Sequence, residues 1–150
     1  MTVKMPEPLN LVKMSQAEID QLYQNSAVGE IPDGDSQGVA IIAAGSIFTK
    51  AIAGITQLFL WQGKVFYRDQ AFFLNKATPF QLRIFKGEIY RGDSWFTDGQ
   101  AIILDYSKTS FLLQRVREEI REITPGFYLA QVYWGEKRIS NFTLDFQKSE

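Results

Sequence analysis

The chain carries neither cysteine nor histidine, so its possible chemistry is defined first by subtraction. A thiolate nucleophile, a zinc-thiolate centre, an imidazole base and a Ser-His-Asp relay all need residues that are missing. What remains is oxygen and nitrogen chemistry: carboxylates as acids or bases, tyrosines as hydrogen-bond donors, lysines and arginines as electrostatic clamps. Two carboxylates are candidates for catalysis. Asp105 ends the otherwise apolar run AIILD and precedes Tyr106; a carboxylate so placed either has its pKa raised by burial or needs a cation beside it. Lys64, Arg83, Arg115 and Arg117 are the candidate partners, and a salt bridge or turn cap competes with any acid/base role. Glu118 lies within RVREEIREI, where an inward orientation demands a neutralising arginine, because an isolated buried carboxylate is prohibitively costly. Tyr106, Tyr128, Tyr133 and Lys64 are the side chains that can donate a hydrogen bond to a ligand oxygen.

Other sites are weaker or excluded. Asp33, Asp35 and Gly38 match the opening of a calcium loop, but Ala44 stands where the closing bidentate glutamate belongs, so no metal is expected. The run Ser107, Lys108, Thr109, Ser110 lacks the glycines of a phosphate loop, and no cofactor is expected either. Asn141-Phe142-Thr143 has the spacing of a glycosylation acceptor, which has meaning only behind a secretory leader. The opening MTVKMPEPLNLVKM has no continuous apolar core, so a signal peptide is not expected and a cytoplasmic location is. A net charge of −1 gives no global field for nucleic acid, and no nucleic-acid partner is expected.

The elements that must position these residues follow from patterning. The 150 residues are expected to form one domain, with a helical and loop region over 1–57 packed on strands over 58–147. Ser15 and Glu18 have capping-box spacing, and Met14 with Ile19 fits the hydrophobic staple, so a helix is predicted from Ser15. Residues 38–61 are largely apolar with Lys50 as their only charge, diluted by Gly45, Ser46, Thr49, Gly54, Thr56 and Gln57. A buried helix starting at Ser46 is favoured there over a membrane span, because a lysine at mid-span costs about 2.5–3.5 kcal/mol. From Leu58 onward alternation predicts strands, with Trp61 and Val65 on one side and Lys64 and Phe66 more nearly on the other. Gly87 is read as permitting a bulge, Ser94-Trp95-Phe96 as a short strand, Asp98-Gly99 as a hairpin turn, and the run Ala101 to Leu104 as a strand covered on both faces. For Arg115–Ile123 the apolar residues fit helical spacing, with opposite-charge pairs at i,i+3 and i,i+4, and a short helix is predicted. Two further strands, FYLAQVYW and RISNFTLDF, close the chain as a hairpin.

Seven or eight short antiparallel strands behind one or two helices predict a mainly β fold closing into a barrel; an α+β cone of the nuclear-transport-factor type is the alternative. From Trp61 to Phe146 the chain resembles a lipocalin-like (calycin) barrel, the similarity resting on WQGKVF, AIILDYSKTS and REEIREITPGFYLAQVYW. That resemblance implies a cavity for a small apolar molecule such as a lipid, pigment or terpenoid, and carries over no catalytic residue. Aromatic walls are expected from Trp61, Phe66, Phe85, Tyr128, Tyr133 and Phe142, with an arginine such as Arg117, or a tyrosine, holding a polar head. The competing readings are a small isomerase, lyase or cyclase with Asp105 or Glu118 as base, and a protein that touches a membrane or partner through residues 38–61.

Overall fold

The computed structural model describes residues 11, 13–41, 61–78, 80 and 82–146. The apolar helix predicted from Ser46, and most of the segment read as a possible contact surface, lie outside the described residues.

The first helix, α1 (Gln16–Gln24), begins at the predicted cap. The Ser15 hydroxyl accepts from the Glu18 backbone N–H at 3.1 Å and the Glu18 carboxylate accepts from the Ser15 N–H at 3.1 Å. Such a cap contributes about 1 kcal/mol. Ile19 and Tyr23, one turn apart, are buried against the outside of the barrel, where Leu11, Ile41, Phe127 and Leu129 complete an external core.

Nine strands follow: β1 (Gly34–Asp35), β2 (Gln37–Ile41), β3 (Trp61–Tyr67), β4 (Phe72–Ala77), β5 (Leu82–Asp93), β6 (Gln100–Asp105), β7 (Val116–Thr124), β8 (Phe127–Trp134) and β9 (Lys137–Asp145). From β3 to β9 every strand pairs antiparallel with its successor. Only Ser36 separates β1 from β2, yet β1 pairs with β3 and β2 with β9. The two edges of the meander are therefore bridged by one bent strand, and the sheet forms a nearly closed barrel. The alternative α+β cone is not what forms.

Three departures from the predicted elements have local causes. First, β3 carries a bulge between Trp61 and Gly63, which resets the alternation so that Trp61 and Lys64 both face inward opposite Ala77 and Asn75. Gly63 makes this possible: its φ is 131°, and a Cβ there would lie 2.6 Å from the Ser36 carbonyl oxygen. Second, Arg115–Ile123 is no helix; Val116–Thr124 is strand β7, paired on both sides. Its apolar residues satisfy a helical template, but the inward glutamate that counted against a strand is neutralised by a residue from β3. Third, Ser94, Trp95 and Phe96 form a bend rather than a strand, because the backbone N–H groups of Trp95 and Phe96 turn onto the Glu119 carboxylate at 3.1 and 3.2 Å.

The predicted double-sided coverage of β6 holds: Ala101, Ile102, Ile103 and Leu104 are all buried. The expected irregularity near Gly87 falls two residues earlier, at Phe85 with φ 57°. Gly87 itself is filled by the Phe73 ring, 2.3 Å from where a Cβ would stand.

Candidate functional site

The barrel interior is divided along its axis. At the end where β1 meets β3, Phe66, Phe73, Tyr128 and Leu144 pack together, with Val28, Ile31 and Phe146 against them. The Tyr128 hydroxyl donates to the Glu30 carbonyl at 2.5 Å. At the opposite end, where β2 stops and β3 starts, a cavity of about 380 Å³ opens. Ala77, Ile84, Leu113, Val116, Val132 and Ile139 supply aliphatic wall, and Trp61, Phe85, Tyr106 and Phe142 supply aromatic wall. Beside it Phe111 and Leu112, in the loop between β6 and β7, and Phe80, between β4 and β5, are exposed.

Against this apolar lining stands one polar cluster. The Lys64 ammonium, 1 % exposed, donates to Asn75 Oδ1 at 2.7 Å, to the Tyr106 hydroxyl at 2.8 Å and to Glu118 Oε1 at 2.9 Å. The Asn75 amide donates to the Phe85 carbonyl at 3.0 Å and to the Tyr106 hydroxyl at 2.8 Å. Trp61 Nε1 donates to Asn75 Oδ1 at 3.0 Å, and the Tyr106 hydroxyl donates to Glu118 Oε1 at 3.2 Å. Trp61 and Lys64 can only donate, which fixes the Asn75 amide with its oxygen toward both. The ammonium also lies 4.8 Å from the Phe73 ring centroid and 5.2 Å from that of Phe142.

Burial pushes the Lys64 ammonium below the ordinary lysine range against the pull of the Glu118 carboxylate. Burial, reinforced by the Glu118 charge, pushes the Tyr106 hydroxyl well above the usual tyrosine value. Tyr106 is thus a fixed neutral donor, and Lys64 and Glu118 are matched partners. The neutralising cation predicted for Glu118 is present, as a lysine rather than an arginine.

The predicted site residues divide between this cavity and other places. Trp61, Lys64, Phe85, Tyr106, Glu118 and Phe142 line the cavity. Phe66 and Tyr128 are inside the barrel but in the packed cluster at its other end. Arg117 and Tyr133 are on the outer wall beside Trp95; the guanidinium is 4.0 Å from the Trp95 ring centroid, and the Tyr133 and Trp95 rings meet edge-on at 5.2 Å. Neither can hold a ligand head in this cavity, because odd and even residues of a strand face opposite sides. Burial and the neighbouring Glu119 push the Tyr133 hydroxyl up to about 12.

Asp105 also faces outward, one residue out of phase with Leu104 and Tyr106. Burial raises its carboxyl, but hydrogen bonds from the Tyr90 hydroxyl at 2.6 Å and the Ser107 N–H at 2.8 Å outweigh that and hold it below the ordinary carboxylate value. It is the turn cap of the competing reading. Its expected partners are elsewhere: Lys64 on Glu118, Arg83 on the Tyr67 hydroxyl, Arg115 against Trp134 and Arg117 beside Trp95. Asn75 was missed by sequence reasoning. Its signal is an amide that follows the apolar run FFL in the short strand FFLNKA, where a polar side chain facing inward needs partners.

Among the described residues no group of acidic side chains could hold a metal ion, and no helix is long and apolar enough to cross a membrane.

No protein-family model and no curated protein matches this chain. A crystal structure of a protein from Thermomonospora curvata superposes with a TM-score of 0.65 at 18 % identity, covering 90 % of this chain and 89 % of that one. The likeness is one of fold. It assigns no activity to the cavity.

Proposed function

We propose that the protein binds and carries a small apolar molecule in the open half of its barrel, in the manner of lipocalin-like carriers. The observation that supports this is the cavity: 380 Å³ of space, near the lower end of the range for small-molecule sites, with aromatic and aliphatic walls around one polar anchor. A core evolved only for stability closes such space, since each unfilled volume of this kind costs lost contacts.

The test is to fill the space. Ala77 is buried on the cavity wall, and Ala77→Phe puts an aromatic ring into it. Binding of a polarity-sensitive naphthalene dye should weaken at least about tenfold in the variant while the far-ultraviolet dichroism of the barrel is retained. Equal binding by both proteins would sink the proposal.

A second reading has one specific support. The Glu118 carboxylate and the Tyr106 hydroxyl, 3.2 Å apart, face the same ligand space, so a ligand proton could move to Glu118 in an isomerase or lyase reaction. Turnover lost in Glu118→Gln, with ligand binding preserved, would separate catalysis from carriage.

A further inference from the structure

The polar anchor is selective because of how its protons are distributed, an inference that rests on the carriage reading above. All three Lys64 ammonium protons are used, on Asn75, Tyr106 and Glu118. Both Asn75 amide protons are used, on the Phe85 carbonyl and Tyr106. The Trp61 indole proton goes to Asn75 and the Tyr106 proton to Glu118. At the rim the Ser140 hydroxyl donates to the Asn141 carbonyl, and the Asn141 amide donates to the Ala130 carbonyl and to Gln131 Oε1. Among the described residues, then, no side chain lining the cavity has a proton left to give.

Acceptor capacity is different. Glu118 Oε1 receives both Lys64 and Tyr106, whereas Oε2 receives no donor from the described residues. Glu118 lines the cavity and its side chain keeps 10 % exposure, against 1 % for Lys64, so the cluster turns its carboxylate toward the ligand space. An ionised carboxylate can accept several hydrogen bonds, and leaving one of its oxygens unpaired in an apolar chamber costs more than leaving it in water.

We infer that the cavity selects apolar molecules bearing a hydroxyl group, which donates to Glu118 Oε2, over carboxylic acids and over molecules whose only polar atom is an acceptor. A hydroxyl completes the carboxylate without adding charge to the balanced Lys64 and Glu118 pair. A ligand carboxylate would bring like charge to Oε2 and find no donor in return. An ether or ketone of the same size fills the cavity but leaves Oε2 unpaired. This reverses the sequence-based expectation that tyrosine or arginine donates to a ligand oxygen, since Tyr106 has already given its proton and Arg117 is on the outer wall.

The experiment compares dodecan-1-ol, dodecanoate and dodecyl methyl ether as displacers of the naphthalene dye at neutral pH, each below its micelle or solubility limit. The alcohol should bind about tenfold tighter than the ether, the worth of one hydrogen bond to a charged group, and the carboxylate weaker than both. Glu118→Gln keeps Oε1 for Lys64 and Tyr106 while its amide supplies a donor where Oε2 stood, so the preference should shift from the alcohol toward the ether. Should Glu118→Gln alone fail to fold, the pair Lys64→Met with Glu118→Gln removes the unmatched charge and should show the same shift. Dodecanoate binding as tightly as dodecan-1-ol, or an unchanged order in the variants, overturns the inference and leaves carriage standing. If dye and all three probes fail to bind, the carriage reading falls, and the inference with it.

Discussion

Glu118 and Glu119 are neighbours on β7 with the same side chain, yet they face opposite walls of the barrel and meet opposite kinds of partner. Glu118 points into the cavity, where another side chain, Lys64, neutralises it from a strand on the far side of the interior. Glu119 points out, under the loop after β5. It is held mostly by backbone: the Trp95 and Phe96 N–H groups and the Ser94 hydroxyl converge on its Oε1, with Arg117 at 3.8 Å. Arg121 repeats the outer pattern. Its guanidinium donates to the carbonyls of Tyr23 and Ser26 at the end of α1 and to those of Asp98 and Gln100 around the next hairpin. That places a cation at a helix C-terminus that has no basic residue in its own last turn.

The contrast assigns two kinds of work. Outside, charge ties main chain to main chain, fastening the helix and loops to the wall. Polar atoms are left over there: Glu119 Oε2, Gln131 Nε2, Thr143 Oγ1 and the Tyr23 hydroxyl are buried without a protein partner among the described residues. Inside, no buried polar atom of the cluster is left over, and the remaining acceptor capacity faces the ligand space.

Three substitutions would break or sharpen this contrast. The largest effect is expected inside. Lys64→Met leaves Glu118 buried without its cation and should cost about 3–5 kcal/mol in chemical denaturation, most of it recovered in the double variant Lys64→Met, Glu118→Met, because an unpaired buried charge is worse than none. If the single variant is as stable as the parent, the two carboxylates are not distinct.

Outside, Arg121→Met should cost about 2–3 kcal/mol and speed amide exchange across α1 and the loop over Asp98-Gly99, while dye binding in the cavity is retained. Loss of dye binding alongside would mean that the walls are not independent.

Smallest is Glu119→Gln. Burial raises the Glu119 carboxyl above its ordinary value, against the lowering effect of Arg117 and the hydrogen bonds from Ser94, Trp95 and Phe96. Its charge therefore costs stability at neutral pH, and that cost fades as pH falls through the raised value toward the range where the unfolded carboxyl is also protonated. Glutamine keeps the oxygen that those donors need, so the variant should gain on the order of 1 kcal/mol at neutral pH and nothing near pH 4. A loss at neutral pH would show that the Arg117 contact outweighs burial.

Local signals were legible wherever neighbours in sequence decide the outcome. The capping pair Ser15 and Glu18, the doubly covered run from Ala101 to Leu104 and the closing hairpin at Gly135-Glu136 form as read, whereas the two-residue turn expected at Asp98-Gly99 does not: Asp93 pairs with Gln100 and the whole of 94–99 is loop. The barrel itself follows from counting strands. The candidate site was half legible: Trp61, Lys64, Phe85, Tyr106, Glu118 and Phe142 meet in the cavity, but strict alternation put Lys64 opposite Trp61, because a glycine such as Gly63 permits a one-residue bulge without dictating it. β7 was read as a helix for a related reason. Charges on both faces of a strand make sense only when their partners are known, and Glu118 finds its partner in Lys64 while Arg121 finds its own in the carbonyls ending α1. Neither partner is near in sequence, while the i,i+4 pairs that mimic a helix are.

The join between β1 and β2 has a mechanical consequence. Ser36, buried at that join, gives its hydroxyl proton to the Lys64 carbonyl at 2.6 Å and its backbone N–H to the same oxygen at 3.1 Å, while the Lys64 N–H returns to the Ser36 hydroxyl at 3.2 Å. The clasp that shuts the barrel thus grips the very residue that carries the positive charge within. The short strand that completes the circle of pairing and the buried cation are thus joined through the backbone of one residue.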